Sequence, residues 1–345
     1  MIFTRTVKYA AIGAFFVAAS AHAQRSSSGD WRLYYDADRQ RVELTLEQFD
    51  DWRHNSSTSF PVSASSLSGT SVSQITGPTR DAKFQLRRDA GTFTFDGTVG
   101  GNRGRGTFTF TANPSFPDEL SRRGYSRPSA EQQFSMALHD VGYGVIDELA
   151  RQGYGRPTVG GLVEMGEHGV GLDYVRALDS YGYRLRTVDM LVEMRDHGVT
   201  PSYIKGLADA GYTRLPADRL IEMRDHGVTP DLVASYRSYG FARLSEDDLI
   251  EMRDHGVNGS FIDGMKRLGY TLTREQLVTA RDHGVTPSFI ESFRALGYRD
   301  LSIGQVIELR DHGVTASYAE RANDRMRSRP SISDLIEARD RGMRY

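Results

Sequence analysis

The stretch GYTRLPADRLIEMRDHGVTPDLVASYRSY, residues 211–239, is one copy of a motif that recurs along most of the chain. Its opening Gly-aromatic dipeptide and its histidine return together every 29 residues, with a single interval of 28. The histidines of six successive copies are His168, His197, His226, His255, His283 and His312. Self-similarity at a period of roughly 20–50 residues is typical of stacked structural repeats. The repeat therefore decides the expected fold.

Each copy predicts two short helices separated by a sharp turn. In the quoted copy, the first helix begins near Pro216 and runs to His226. Gly227 ends it, because glycine readily adopts the left-handed conformation that follows a helix. Thr229 is then a good N-cap, and Pro230 occupies the first position of the second helix. Helices of about ten residues are marginal alone, so neighbouring pairs must stack to bury a shared core.

Degraded copies extend the repeat in both directions. The Gly-Tyr dipeptide at Gly124 and the histidine at His139 keep the register ahead of the first clear copy, and Gly342 keeps it after the last. We predict an α-solenoid over residues 120–345, with about seven helix pairs and a closing half repeat. Terminal copies are expected to deviate, because their outer faces have no neighbour.

A different pattern, with apolar residues at every second position, precedes the repeats. Phenylalanine alternates with threonine around Phe93 and Phe108, and a weaker strand signal lies near Phe60. Such alternation is typical of strands with one buried face. We predict a small antiparallel β domain over residues 30–112, sandwich-like or half-barrel in shape, and a Pro-containing linker at 113–119. The predicted fold class is therefore α+β, with two domains.

The first residues have the composition of a secretory signal peptide. Arg5 and Lys8 precede a short apolar run, and small residues at Ala21 and Ala23 fit a cleavage site after Ala23. We predict a signal peptide at 1–23 and a flexible leader at 24–29. The apolar run is too short for a membrane anchor, so a periplasmic or secreted protein without stable membrane insertion is expected.

The overall charge and the lack of cysteine restrict the class of protein further. The formal net charge is −2, which is too small to favour nucleic acid or an anionic membrane surface as a partner. The chain contains no cysteine. An exported protein of this kind must be held together by packing and not by disulfides.

A glycine-rich run from Gly97 to Gly106 has some likeness to a phosphate-binding loop. It lacks the Gly-Lys-Ser/Thr ending and is flanked by predicted strands, so a hairpin connection is the favoured interpretation. Four arginines surround this hairpin: Arg87, Arg88, Arg103 and Arg105. We interpret them as a charged sheet edge that discourages strand pairing, with recognition of an acidic partner as the alternative.

The repeated polar residues raise the question of a metal site. In five copies a glutamate stands four residues before the histidine, as Glu193 does before His197. Two ligands are too few for a closed zinc site, and packed helices lie about 8–10 Å apart. We predict no metal and no cofactor. A histidine in the last turn instead complements the helix dipole, and repeated arginines such as Arg195 are expected to pair with aspartates of the next copy.

The variable positions of the copies are the candidates for partner binding. No catalytic constellation is present, and identical polar sets in every copy indicate a scaffold rather than an enzyme. Outward positions on the second helices change in sign and size between copies. The predicted partner-binding residues are Lys205, Asp209, Arg237, Asp263, Lys266, Arg267, Glu291 and Arg294. The alternative is that these are unconstrained solvent-exposed positions.

The phrases Arg-Asp-His-Gly-Val-Thr-Pro-Ser-Tyr-Ile and Gly-Tyr-x-x-Leu-x-x-Asp-x-Leu-Ile resemble tandem helix-pair repeats of exported bacterial proteins. They also resemble repeats that follow the membrane metallopeptidase domain of some antibiotic-sensor-type proteins. The resemblance covers about residues 120–345, and the phrases that contain Phe93 and Phe108 resemble the β segment that often precedes such repeats. It implies a sensing or interaction module outside the cytoplasmic membrane. The chain has no peptidase motif, so the resemblance implies no catalytic residue.

Two functions therefore remain open. The first is an exported, non-enzymatic scaffold that binds a protein or peptide in the cell envelope through the variable face of the solenoid. The alternative is a binder of glycan or peptidoglycan, in which the β domain contacts the polymer through Trp31, Tyr34, Tyr35 or Trp52.

Overall fold

The computed structural model describes residues 27–50 and 54–345 of the chain. The predicted signal peptide, the first half of the predicted leader at 24–26, and Trp52 lie outside the described residues. The chain divides into two compact units between Gly142 and Tyr143. An antiparallel sheet comes first and a series of short helices follows, which confirms the predicted fold class.

The first unit is built on one antiparallel sheet. Within the described residues its strands are β1 Ser28–Asp36, β2 Arg41–Asp50, β3 His54–Val62, β4 Leu67–Ser68, β5 Arg80–Arg88, β6 Gly91–Gly100 and β7 Arg103–Ala112. A 3-10 turn at Ala64–Ser66 and three helices, α1 Val72–Thr76, α2 Phe116–Arg122 and α3 Ala130–Leu138, complete it. The strand order is β3-β2-β1-β7-β6-β5-β4. Because these strands form a single sheet, the sandwich alternative is wrong.

The predicted alternation of buried and exposed residues is confirmed in the central strands. Phe84, Phe93, Phe95 and Phe108 are all 1% exposed or less. The rings of Trp31 on β1 and Phe84 on β5 have centroids 5.1 Å apart, although three strand spacings of about 4.8 Å separate β1 from β5 in a flat sheet. The sheet must therefore curl strongly around its core, as a half-barrel does.

The glycine-rich run forms a hairpin whose connection is shorter than predicted. Strand β6 continues to Gly100 and β7 begins at Arg103, so most of the run is strand and not loop. Gly101 and Asn102 form the turn, with φ angles of 58° and 66°, which is the type I′ geometry that suits a two-residue hairpin. A Cβ atom at Gly104 would lie 2.7 Å from the Trp31 ring. Glycine at this strand position therefore makes room for the indole.

The second unit is a series of short helices. In the part of the chain that the structure describes they are α4 Tyr143–Gln152, α5 Val159–Glu167, α6 Leu172–Ser180, α7 Val188–Asp196, α8 Pro201–Asp209, α9 Ala217–Asp225, α10 Pro230–Ser238, α11 Glu246–Asp254, α12 Gly259–Arg267, α13 Arg274–Asp282, α14 Pro287–Ala295, α15 Ile303–Asp311, α16 Ala316–Met326 and α17 Ile332–Asp340. Each even-numbered helix packs on the next even-numbered helix, and the odd-numbered helices pack on one another in the same way. This arrangement is a stack of helix pairs in two layers.

The two layers share a continuous apolar core. In one repeat, Leu191 and Met194 come from the first helix, Val199 from the turn, and Tyr203 and Leu207 from the second helix. All five are 5% exposed or less. Neighbouring repeats must be present to cover these side chains, because a single pair of nine-residue helices has no second apolar surface of its own.

The local signals read from residues 211–239 are confirmed. The backbone N–H of Leu232 donates to the Thr229 hydroxyl, and Pro230 occupies the first turn of α10. His226 is the C-cap of α9, and Gly227 follows it with a φ angle of 70°. The ends of both helices therefore come from short-range chemistry that the sequence displays.

Buried tyrosine hydroxyls connect successive repeats. Tyr203 donates to the carbonyl oxygen of Val228 over 3.0 Å, and Tyr174 donates to that of Val199 over 2.9 Å. Burial raises the pKa of Tyr203 to about 12, so the hydroxyl stays protonated as a donor. Each bond satisfies a carbonyl in a turn that the next repeat contributes, which would otherwise be buried without a partner.

Replacing Tyr203 with phenylalanine should lower the free energy of unfolding by about 1–2 kcal/mol, because the Val228 carbonyl loses its donor while the ring remains. Chemical denaturation of Tyr203→Phe measures this loss. The matched control is Tyr183→Phe, because the Tyr183 hydroxyl makes no hydrogen bond with any described residue. Equal stabilities for the two variants would contradict the role assigned to the Tyr203 bond.

Candidate functional site

The repeated Arg-Asp-His-Gly phrase joins each repeat to the next. The Nδ1 atom of His197 lies 2.7 Å from a carboxylate oxygen of Asp225, one repeat further along the chain. The same contact occurs at six successive seams: His168–Asp196, His197–Asp225, His226–Asp254, His255–Asp282, His283–Asp311 and His312–Asp340. The repeated histidines and aspartates therefore have a role in stacking.

The expected ladder of arginine–aspartate pairs is wrong. Among the described residues Arg224 has no ion pair, and its guanidinium lies over the Tyr203 ring of the preceding repeat, 5.2 Å from the centroid. Equivalent contacts are Arg195 with Tyr174, Arg281 with Phe261, Arg310 with Phe289 and Arg339 with Tyr318. A Cβ atom at Gly198 would lie 3.2 Å from Nε of Arg224. Glycine after the histidine thus also lets the arginine approach the ring.

Three of the predicted partner-binding residues bind the preceding repeat instead. Each is a basic residue that donates to a carbonyl at the carboxyl end of the preceding second helix. The pairs are Arg237 with Ala210 at 3.0 Å, Lys266 with Tyr239 at 3.0 Å, and Arg294 with Leu268. Positive charge at this end of a helix is favourable. These side chains therefore contribute to stacking as well as to the surface.

The other five predicted residues remain on the exposed surface. Lys205 and Asp209 form an ion pair at 2.5 Å, and the Asp263 carboxylate accepts from the Tyr239 hydroxyl at 2.6 Å. The remaining two have no partner among the described residues and line the same open cavity of about 390 Å³ between α12 and α14: Arg267 and Glu291. Among the eight, the structure therefore brings together two pairs, Lys205 with Asp209 and Arg267 with Glu291.

Alignment of the repeats shows a larger arrangement on the second-helix layer. One exposed position, taken from α6, α8, α10, α12, α14 and α16 in turn, is occupied by Arg176, Lys205, Ala234, Asp263, Glu291 and Glu320. We call this row the charge column. From α6 to α16 its charge changes from positive to negative, while α4, which packs on α6, carries the acidic Asp147 at the equivalent position. Arg176 and Glu320 are not among the residues predicted from the sequence, although the 29-residue alignment extends to both of them.

Acidic side chains gather on the first-helix layer. Glu164, Asp189 and Glu193 line a cavity of about 270 Å³ between α5 and α7, and none of them has a partner among the described residues. His197 also lines this cavity, but its Nδ1 atom is bound to Asp225. Across the described chain, no three His, Asp or Glu side chains are arranged to hold a metal ion.

The aromatic residues predicted to grip a polymer do not form one surface. Trp31 is 1% exposed and Tyr35 is 8% exposed, so both belong to the core of the sheet, and their assignment to a binding surface is wrong. Tyr34 points to the opposite face and is 51% exposed. This division follows from the period of two along β1, which sends alternate side chains to opposite faces.

The interpretation of the hairpin arginines as edge protection is wrong for Arg103 and Arg105. Strand β7, which carries Arg103 and Arg105, lies between β1 and β6 in the interior of the sheet order. Arg88 forms an ion pair with Asp140, and Arg87 donates to the Gln85 side chain. Arg103 and Arg105 are exposed and have no partner among the described residues.

Comparison with known proteins assigns no function to this arrangement. No family model matches the chain, and no curated protein matches it either. None of the helices within the described residues combines the length and apolar character that crossing a bilayer requires. The candidate sites must therefore be judged by their own geometry and charge.

The last seam should depend on pH. The hydrogen bond that the His312 ring donates to the Asp340 carboxylate raises the pKa of His312 above its ordinary value of 6.5. A raised folded-state pKa means that the protonated form of the histidine stabilises the fold. This stabilising contribution is fully present below about pH 6.5, and it decreases as the pH rises through the folded-state pKa. Thermal unfolding of the full chain and of His312→Gln, from pH 5.5 to 8.5, should show a gap in midpoint that is largest at the acidic end. A constant gap would contradict a charged seam.

Proposed function

We propose that the protein is an exported, non-enzymatic scaffold whose solenoid binds an extended protein or peptide segment in the cell envelope. The segment would lie along the charge column, with acidic groups beside Arg176 and Lys205. Its basic groups would lie beside Asp263, Glu291 and Glu320. The charge column is the observation that carries this proposal.

Two members of the column also contact the preceding repeat, Arg176 through Glu148 and Asp263 through the Tyr239 hydroxyl, but these contacts do not account for the order of charges along the column. Residues that recur in most repeats already make contacts between repeats, through the histidine–aspartate, arginine–aromatic and tyrosine–carbonyl pairs. In the column, Asp263, Glu291 and Glu320 lie on neighbouring helices, where like charges repel across the seams. Surfaces of one sign attract segments of the opposite sign and exclude those of the same sign. A graded column therefore suits a partner whose charges are graded in the opposite order.

The length of the column indicates the size of the partner segment. Six helices at spacings of about 8–10 Å give a row of roughly 40–50 Å. An extended chain advances about 3.3 Å per residue, so a segment of about 12–15 residues matches the row. Repeat proteins commonly present such continuous surfaces to extended or helical partners.

The polar contacts within the column leave it available for binding. Lys205 is paired with Asp209, and Arg176 lies 3.4 Å from a carboxylate oxygen of Glu148. Exposed ion pairs contribute little to stability, so a partner carboxylate can replace the first of these contacts at small cost. The predicted signal peptide and the resemblance to repeats of exported bacterial proteins support a location in the envelope, where such a module senses or assembles with other proteins.

Reversing the negative end of the column should abolish partner binding. The test variant of the full chain combines Asp263→Lys, Glu291→Lys and Glu320→Lys. The matched control combines Glu164→Lys, Glu193→Lys and Glu308→Lys, which makes the same change in net charge on the first-helix layer. Each protein, with its helical content checked by circular dichroism, is immobilised and exposed to an envelope extract, and bound proteins are identified by mass spectrometry.

We expect the unmodified chain and the control variant to capture the same defined protein. The column variant should capture at least about tenfold less of that protein, because several ion pairs are lost together. Peptides of about 14 residues from that protein, with an acidic and a basic half, should compete for binding. Capture of the same proteins by all three chains would contradict the proposal.

A further inference from the structure

The polar face of the sheet carries a cavity of about 750 Å³ in the first unit. Side chains from β1, β2, β6 and β7 line it, among them Arg32, Tyr34, Glu43, Thr98, Arg103 and Arg105. Sites for small molecules typically have volumes of about 300–1,000 Å³. The cavity therefore has the size of a ligand site, and it lies on the face opposite the aromatic core.

Two of the arginines that line this cavity lie opposite each other on neighbouring strands. In the pairing of β1 with β7, Arg32 lies directly opposite Arg105. Cβ atoms of such pairs are about 4.5–5.5 Å apart, and like charges in this position destabilise a sheet. Arg32 is paired with Glu47 at 2.8 Å, whereas Arg105 has no partner among the described residues. A bound anion would relieve this repulsion.

A third arginine adds to the same face. Arg103 lies two residues before Arg105 on β7, so both side chains point to the polar face. It is exposed, it has no partner among the described residues, and it lies opposite Tyr34 in the strand pairing. Like charges that lie side by side on one face of a sheet oppose its stability, and residues that break a local rule in this way tend to mark functional sites.

The other lining groups restrict the ligand class. Glu43 lies opposite Tyr34 on β2 and is itself paired with Arg41 at 2.7 Å. This carboxylate would repel a densely charged polyanion but accepts hydrogen bonds from hydroxyl groups. Thr98 on β6 lies opposite Arg105 in the strand pairing. The exposed ring of Tyr34 offers an apolar surface with a polar tip. Together, these lining groups suit an oligomeric ligand in which each repeating unit has one carboxylate and several hydroxyl groups.

We propose that this cavity binds an acidic saccharide, whose carboxylate is held by Arg103 and Arg105 while its hydroxyls contact Glu43 and Thr98. Arginine suits this role because its planar guanidinium donates two parallel hydrogen bonds to a carboxylate. The site lies in the sheet and not in the solenoid, so it stands or falls separately from the proposed scaffold function.

The binding test uses trigalacturonate as the probe and neutral galactotriose as its uncharged counterpart. Isothermal titration calorimetry with the full chain should show saturable binding of trigalacturonate and none of galactotriose. The double variant Arg103→Gln and Arg105→Gln should weaken binding at least about tenfold. The control Arg87→Gln, which changes an exposed strand arginine outside the cavity, should bind as the unmodified chain does.

A second measurement tests the repulsion without any ligand. Arg105→Gln should raise the thermal midpoint of the ligand-free protein by roughly 1–3 °C, because it removes the like-charge pair with Arg32. The rise should shrink in high salt, since screening weakens the repulsion. Arg87→Gln should leave the midpoint unchanged.

Lack of saturable trigalacturonate binding would overturn the proposal, and so would equal binding of galactotriose or equal loss in Arg87→Gln. A lower midpoint for Arg105→Gln would show that this arginine stabilises the sheet, and it would remove the physical basis of the site. Retained saccharide binding in the charge-column variant is expected, because the two surfaces are independent.

Discussion

The seam between successive helix pairs is the interaction on which the second unit depends. Helices of about nine residues do not persist alone, so each needs the apolar and polar groups of its neighbours. At one seam, Tyr203 donates to the Val228 carbonyl, Arg224 lies over the Tyr203 ring, and His197 contacts Asp225. One seam therefore combines a tyrosine–carbonyl hydrogen bond, an arginine–ring contact and a histidine–aspartate contact. These contacts fix the register of one repeat on the next, which apolar packing alone leaves less well defined.

This use of the repeated residues explains which surfaces are free for function. The histidines and aspartates that suggest chemistry in the sequence are engaged with each other, and the arginines are engaged with rings. The charged residues that differ between repeats lie on the exposed side of the second helices, where they form the charge column from Arg176 to Glu320. The sheet follows a similar division, because its aromatic face is the core and its polar face carries Arg103 and Arg105, which pair with no described residue.

Features that depend on short stretches of chain were predictable. The period of 29 residues, the N-cap at Thr229, the proline at Pro230 and the left-handed glycine at Gly227 all follow from local conformational preferences. The alternation around Phe93 likewise gave a strand with one buried face. The same alternation groups Trp31 with Leu33 and Tyr35 on one face of β1, and the structure buries that face.

The sequence by itself determined the repeat, the helix ends and the buried faces, because each depends on neighbours only a few residues away. Tertiary structure alone decided that the arginines contact rings while histidines contact the aspartates, because the rotation between repeats selects which side chains meet. It also decided that β7 is an interior strand, since strand order depends on contacts far apart in the chain. That order places Arg105 opposite Arg32, and no local sequence pattern predicts this cross-strand pairing.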